Sequence, residues 1–525
     1  MTHIIDRSTD TLGRQSGTAV TAVGSGSPEH FANYAYDASG RMSSVTSPAG
    51  QFNYTYAPGS NLIESVTGPV LQVTNIWEPH RDILASKENK ISSTNTMVSG
   101  FTYSVNPLNQ RTSVQTSGTA FAAQPANWAW GYDALGQVVS ADSPTNTFDR
   151  AYEYDAIGNR KKAADGVLDT TGSSATVYDA NALNQYSQIS APSVQSVVPM
   201  HDFDGNATSY PLPVAPSTNA TLAYDGENRL ASVTTGSTIV TYTYDAQSRR
   251  IARTQGTDTT LYLYDAWNCL AEYKFHSSNF TLHSSYSWGL DLSGSLQGAG
   301  GVGGVLATTK HVAQNATNYY ATCDGNGNVS EYLDATGSIA AHYEYDPFGR
   351  TIVTTGPLAA EFAYQFSTKP IDVTTGLHYY GYRWYDAGAG RWINRDPIEE
   401  DGGVNLYGFV GNDGRLNIDY LGLFGYELLC KDCSVLWRCK FRHLVTIEYP
   451  PASSGSVITP MIVSAKHIYG CTAIGVTIDN GKTCPFSVGD VRIVEEDVTA
   501  AYIIWGVTPG PPPAVRTDWS ETTNY

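Results

Sequence analysis

The dipeptide Tyr-Asp, followed by a turn containing Gly or Asn and often closed by Arg, recurs down this chain at a nearly fixed period. Clear copies begin at Tyr36, Tyr132, Tyr154, Tyr178, Tyr224, Tyr244, Tyr264 and Tyr345. From Tyr132 to Tyr178 the steps are 22 and 24 residues, and from Tyr224 to Tyr264 both are 20. Phe203-Asp204-Gly205 and Cys323-Asp324, with Gly325 and Gly327, read as weakened copies in the gaps. Such a period marks a repeat architecture, in which each unit buries its apolar face only against its neighbours.

One repeat shows what the unit must be. In Tyr152-Glu-Tyr154-Asp155-Ala-Ile-Gly158-Asn159-Arg160 the aromatics alternate with polar residues, the pattern of a strand with one buried face. Asp155 is suited to cap the turn by accepting backbone N–H groups, and Gly158 supplies a positive φ. Asn228 and Ser248 occupy the same slot elsewhere, Asn tolerating the left-handed region better than Ser. Each repeat therefore reads as a β-hairpin, and lone hairpins are marginal in water. Edge-to-edge pairing into a long continuous sheet is expected, making residues from about 30 to 420 almost wholly β. The 35 Tyr and 49 Gly agree, and charged residues at 15% argue against a helical or coiled-coil chain. No run of 18 apolar residues occurs, so no membrane-spanning helix is expected.

The net charge of -18 argues against nucleic-acid binding by the repeat region. Residues 424–525 hold 8 Lys and Arg against 10 Asp and Glu, so almost all of the acidity belongs to residues 1–423. Asp10-Thr-Leu-Gly13-Arg14 already resembles a repeat turn, and no signal peptide is visible before it. Either export uses another route or the chain is the C-terminal piece of a longer array. An array starting mid-repeat would expose an unpaired strand edge and associate through it.

From Tyr343 to Leu423 the motifs become specific. Tyr345-Asp-Pro-Phe-Gly349-Arg350 is followed by Thr375-Gly-Leu-His-Tyr-Tyr-Gly-Tyr-Arg-Trp-Tyr-Asp386, Gly390-Arg391-Trp392, Arg395-Asp396-Pro397-Ile398, Asn405-Leu-Tyr-Gly-Phe-Val-Gly-Asn412 and Asp419-Tyr-Leu-Gly-Leu423. This ordered run resembles the RHS repeat-associated core of RHS/YD-repeat proteins. The resemblance implies that the all-β YD-repeat hairpins wind as a spiral into a shell; 423 residues are short for a closed one, so a partial cocoon is expected, and alternating runs such as Leu444–Glu448 and Ala473–Ile478 read as a small C-terminal β domain. The resemblance divides the chain into YD/RHS repeats over 1–340, the associated core over 341–423 and a variable C-terminal segment over 424–525.

In related toxin-complex C subunits the core cuts itself free of that segment, using two aspartates about 22 residues apart. The resemblance places these at Asp396 and Asp419, with Arg395 able to hold one carboxylate and the cut between Leu423 and Phe424. The implied chemistry is aspartyl-protease-like, two carboxylates sharing one proton. Glu399 stands where the family often has Gly, and Tyr420 where it has Pro. The simpler reading of residue types alone makes both aspartates turn caps.

Gly298-Ala-Gly-Gly-Val-Gly-Gly304 lacks the Lys-Ser/Thr of a nucleotide loop and reads as a close backbone approach. Five of the seven cysteines lie beyond the core. Cys430, Cys433, Cys439 and His443 are weak metal candidates, disulfides after export being the alternative. No metal or other cofactor is called for. His467, Lys466 and Asp479 form no recognisable constellation, and no His-x-Glu of a deaminase occurs in the tail.

The expected function is a shell-type carrier that encloses its own C-terminal segment and releases it by one intramolecular cut, as in polymorphic toxins. Its partners would be that segment and an immunity protein. Cell-surface glycans are the partner of the alternative reading, a structural or adhesive carbohydrate-binding protein. A truncated inactive fragment is the third. The resemblance implies export or cell-surface exposure.

Overall fold

The computed structural model describes residues 3–423 except 173, 193–194, 277–278 and 313–314. Beyond Leu423 it describes only the backbone of the strands Gly425–Glu427, Cys433–Ile447, Val463–Ile478, Val491–Ala500 and Thr523–Asn524. Two compact units divide the chain, Met1–Leu429 and Cys430–Tyr525.

The first unit is built from one repeated turn. At Asp10 the carboxylate Oδ1 accepts the N–H of Leu12 (2.9 Å) and Arg14 (3.0 Å), while Oδ2 accepts from Arg14 Nε (2.7 Å). The carbonyl of Asp10 accepts the N–H of Gly13, which sits at φ +78°. The same clasp forms at Asp37, Asp225, Asp245 and Asp346, each with Arg four residues on. Gln137 and Asn159 replace Arg at the Asp133 and Asp155 turns. Asn228 and Ser248 hold the positive-φ slot at +60° and +63°.

The tyrosine before the aspartate ties each hairpin to the one before. Tyr36 donates to the carbonyl of Gln15, Tyr154 to Val138, Tyr244 to Leu230 and Tyr345 to Val329, at 2.7–2.9 Å. The previous turn's arginine covers the ring, Arg14 over Tyr36 at 4.2 Å and Arg229 over Tyr244 at 5.1 Å. The period thus joins a turn device to an inter-hairpin device, which explains why Tyr and Asp recur together.

Three repeat assignments shift. The turn near Tyr178 caps on Asn181, with Asp179 inside the strand Thr176–Ala180. The turn near Phe203 caps on Asp202. Asp265 opens a two-residue turn to Asn268 and spends its carboxylate on Arg7, Gln15 and Thr18. An acidic residue next to an aromatic one is a weaker marker than the residue four before the turn's exit.

Among the described residues the strands form two antiparallel meanders in sequence order. One has sixteen strands, from His3–Thr9 to Tyr186–Ser190, and the other fourteen, from Met200–His201 to Thr351–Thr355. Neither closes into a barrel. Contacts between them advance in the same direction: Arg7 to Asp265, Ser47 to Ser287, Ser99 to Glu331 and Asp165 to Arg350. The second sheet therefore lies along the first as a following winding. Helical segments in the described residues are 3₁₀ turns of three or four residues, none able to cross a membrane.

The segment after Thr355 folds onto the second sheet around aromatic rings. Tyr385 meets Phe409 at 4.0 Å, Trp392 at 5.3 Å and Phe366 at 6.2 Å, and Tyr380 stands perpendicular to Trp392 at 5.0 Å. Short strands His378–Tyr379, Trp384–Asp386 and Arg391–Trp392 form its sheet, and Asn417–Asp419 pairs with Gly425–Glu427. The second unit is, by itself, an antiparallel sheet of four strands. This matches the small β domain expected of the tail.

Candidate functional site

Arg383 lies in the run Tyr379-Tyr-Gly-Tyr-Arg-Trp-Tyr385, where Tyr379, Tyr380, Trp384 and Tyr385 are core residues, and its guanidinium is buried with them at 2% exposure. It stacks 4.3 Å over Trp392. A buried cation needs carboxylate partners, because leaving water uncompensated is very costly. Arg383 has two. Nη2 lies 2.7 Å from Asp396 Oδ2 and 3.7 Å from Asp419 Oδ2. Nε donates to the carbonyl of Gly422 and Nη1 to that of Leu406 (3.3 Å).

Each aspartate also caps a turn with its other oxygen. Asp396 Oδ1 accepts the N–H of Ile398 at 3.1 Å. Asp419 Oδ1 accepts the N–H groups of Leu421 (3.1 Å), Gly422 (2.6 Å) and Leu423 (3.0 Å). The turn-cap role and the paired-carboxylate arrangement therefore coexist, one oxygen each. The Asp419 turn delivers the Leu423 peptide to the site. A Cβ on Gly402 would overlap Asp396 Oδ2 and stand 2.9 Å from the Leu423 carbonyl oxygen, so both oxygens face the space that glycine leaves open.

Burial pushes the Asp396 carboxyl up to about 6 against the opposing pull of Arg383. Burial also raises Asp419, opposed by Arg383 and by its backbone N–H bonds. Two carboxylates on one guanidinium in a buried setting favour a shared proton. The site opens into a cavity of about 730 Å³, whose lining also includes Leu108, Leu135 and Ile157 from the repeat turns.

Asp396 and Asp419 thus meet, and Arg395 does not join them. Its guanidinium is partly exposed and its nearest carboxylate is Glu399, at 4.0 Å. The position expected for Arg395 is held by Arg383. The signal for it was present in the sequence: a lone charge inside a run of aromatics must be buried with a partner. Phe424 lies outside the described residues. So do Cys430 and the side chains of Cys433, Cys439 and His443.

Comparison with known proteins gives a consistent picture. The family model described as Teneurin YD-shell matches residues 25–283 and 306–415. The toxin subunit YenC2 of Yersinia entomophaga is 38% identical over 102 residues, covering 17% of this chain and 10% of that protein. YenC1 of the same organism is 39% identical over 90 residues, covering 17% and 9%. The chain thus spans about a tenth of the length of these curated relatives. The crystal structure of TcdB2-TccC3 without its hypervariable C-terminal region superposes with a TM-score of 0.63 at 18% identity, over 80% of this chain and 21% of that one. At that identity the likeness is one of fold.

Proposed function

Since the chain belongs to the teneurin YD-shell family, we propose that it is a shell segment that holds its own C-terminal segment and cuts itself free of it once, after Leu423. The observation that carries this reading is the meeting of Asp396 and Asp419 on the Arg383 guanidinium, with the Leu423 carbonyl beside Asp396. Relatives named as toxin subunits support the carrier role, as does a fold neighbour whose C-terminal region is called hypervariable. Export or surface exposure belongs to the same proposal.

The cut follows from the charges. Asp419, accepting three N–H groups, takes the ionised role, and Asp396 holds the shared proton. A water gives its proton to Asp419 and bonds through oxygen to the Leu423 carbon. Asp396 protonates the carbonyl oxygen as it gains charge. When the tetrahedral adduct collapses, the proton taken by Asp419 passes to the Phe424 nitrogen and the hydroxyl proton returns to Asp396. The C–N bond then breaks, leaving a Leu423 carboxyl and a Phe424 amine. Arg383 holds both carboxylates in register and limits the charge that develops. The act is a single intramolecular hydrolysis without turnover.

Arg383 and Arg395 separate this account from one based on the nearest basic residue in sequence. Arg383→Gln is expected to leave one full-length polypeptide on a denaturing gel. Arg395→Ala is expected to cut at close to the wild-type rate. Cutting that survives Arg383→Gln and fails in Arg395→Ala would overturn the assignment.

A further inference from the structure

The site stands on a floor of glycines. The loop Gly298–Gly304 wraps around the buried Asp291, whose Oδ2 accepts the N–H of Ala299 (2.7 Å) and Gly301 (3.1 Å). This turns Ala299 and Val302 onto Ile418, the residue before Asp419, in a small apolar cluster. Gly300, at φ +62°, lies so close to Tyr420 that a Cβ there would overlap the Tyr420 carbonyl oxygen. The close backbone approach read from the glycine run is therefore made to the segment that leads into the scissile bond.

Lys369 closes this contact. It is 4% exposed, and its ammonium donates to the carbonyls of Gly300 (2.7 Å) and Tyr420 (3.3 Å). The titratable groups facing it are Asp291, which the loop encircles, Asp419 from the strand and the Tyr380 ring, 5.3 Å away. Arg383 and Asp396 lie beyond Asp419. Burial draws the Lys369 amine down to about 8, with Asp419 and Asp291 opposing, so it is charged at neutral pH.

We propose that Lys369, seated on the glycine loop, is a positioning residue for the cut. It pins the Tyr420 peptide, and through it the Asp419 turn and the Leu423 carbonyl, while its positive charge keeps Asp419 a carboxylate. This rests on the self-cleavage reading, and its geometry reaches beyond it: the loop and lysine clamp the turn whether or not the bond is cut. A lysine near Asp419 favours the ionised form, so its loss raises the pH below which both carboxylates are protonated and no base remains.

Two measurements on the full chain test it. The first is the pH profile of the cut. Lys369→Met should move its acid limb up by about one pH unit. Gly300→Ala, which leaves the charge in place, should slow the cut at every pH without moving the limb. The second is amide hydrogen exchange at Leu421, Gly422 and Leu423 in an Asp396→Asn chain, with the repeat strands as the control for folding. Adding Lys369→Met should speed exchange there about tenfold and leave the strands unchanged. An unmoved limb together with unchanged exchange overturns the proposal. A wild-type chain that never cuts, with exchange that still rises in Lys369→Met, upholds the clamp and overturns the self-cleavage reading instead.

Discussion

Ser248 at φ +63° and Glu399 at φ +53° occupy backbone positions where a Cβ is strained. Ser248 fills the glycine slot of a repeat turn, and Glu399 stands where the RHS core commonly has Gly, so both strains are legible as substitutions in a motif. Gly at either position is expected to stabilise the fold by about 1 kcal/mol, seen as a higher denaturant midpoint at unchanged slope. His342 was not legible, because its partners come from the strand register. Its ring joins Glu331 (2.9 Å) and Glu344 (3.2 Å) in the interior. Burial alone would depress its pKa, but the two carboxylates raise it from 6.5 to about 9. A folded pKa above the unfolded one contributes stability in full below about 6.5, lost as pH rises through about 9. Burial opposes ionisation of Glu331, but its hydrogen bonds to His342, Ser99 and Thr322 outweigh it and lower its pKa. Its contribution is present above the usual glutamate value and lost as pH falls. The melting temperature should therefore drop between pH 7 and 10, and His342→Gln should flatten that drop.

At the level of the hairpin, turn chemistry could be read from single copies, while pairing between copies could not. Asp155 and Gly158 announce a turn on their own. That Tyr154 donates to Val138, sixteen residues back, follows only once neighbouring hairpins are paired. Tyr154→Phe keeps the ring and removes that bond, so a loss of about 1 kcal/mol is expected in equilibrium unfolding. No measurable loss would make the tyrosine hydroxyl incidental to the repeat. The shifts at Asn181 and Asp202 have the same origin. The cap is defined by its N–H acceptor geometry, which Asn meets as well as Asp, and a nearby Tyr-Asp pair can lie in the strand instead. Arg395 was misplaced for a related reason, since adjacency in sequence put it next to Asp396 while the fold brought Arg383 across from the aromatic core.

For the whole molecule, the period of the repeat was enough to indicate an all-β array. The winding of one open sheet along another depends on contacts between residues such as Ser99 and Glu331, which no local pattern reveals. The proposal is that this array cuts its own chain at a dyad assembled by the segment that folds onto its second sheet after Thr355. Intact-mass measurement of the purified chain under denaturing conditions tests it most directly. The account predicts two polypeptides that meet between Leu423 and Phe424 in the wild type, and one polypeptide of 525 residues for Asp396→Asn and for Asp419→Asn. A wild-type chain still at full mass after long incubation near pH 6, or a cut that persists in either variant, would contradict it.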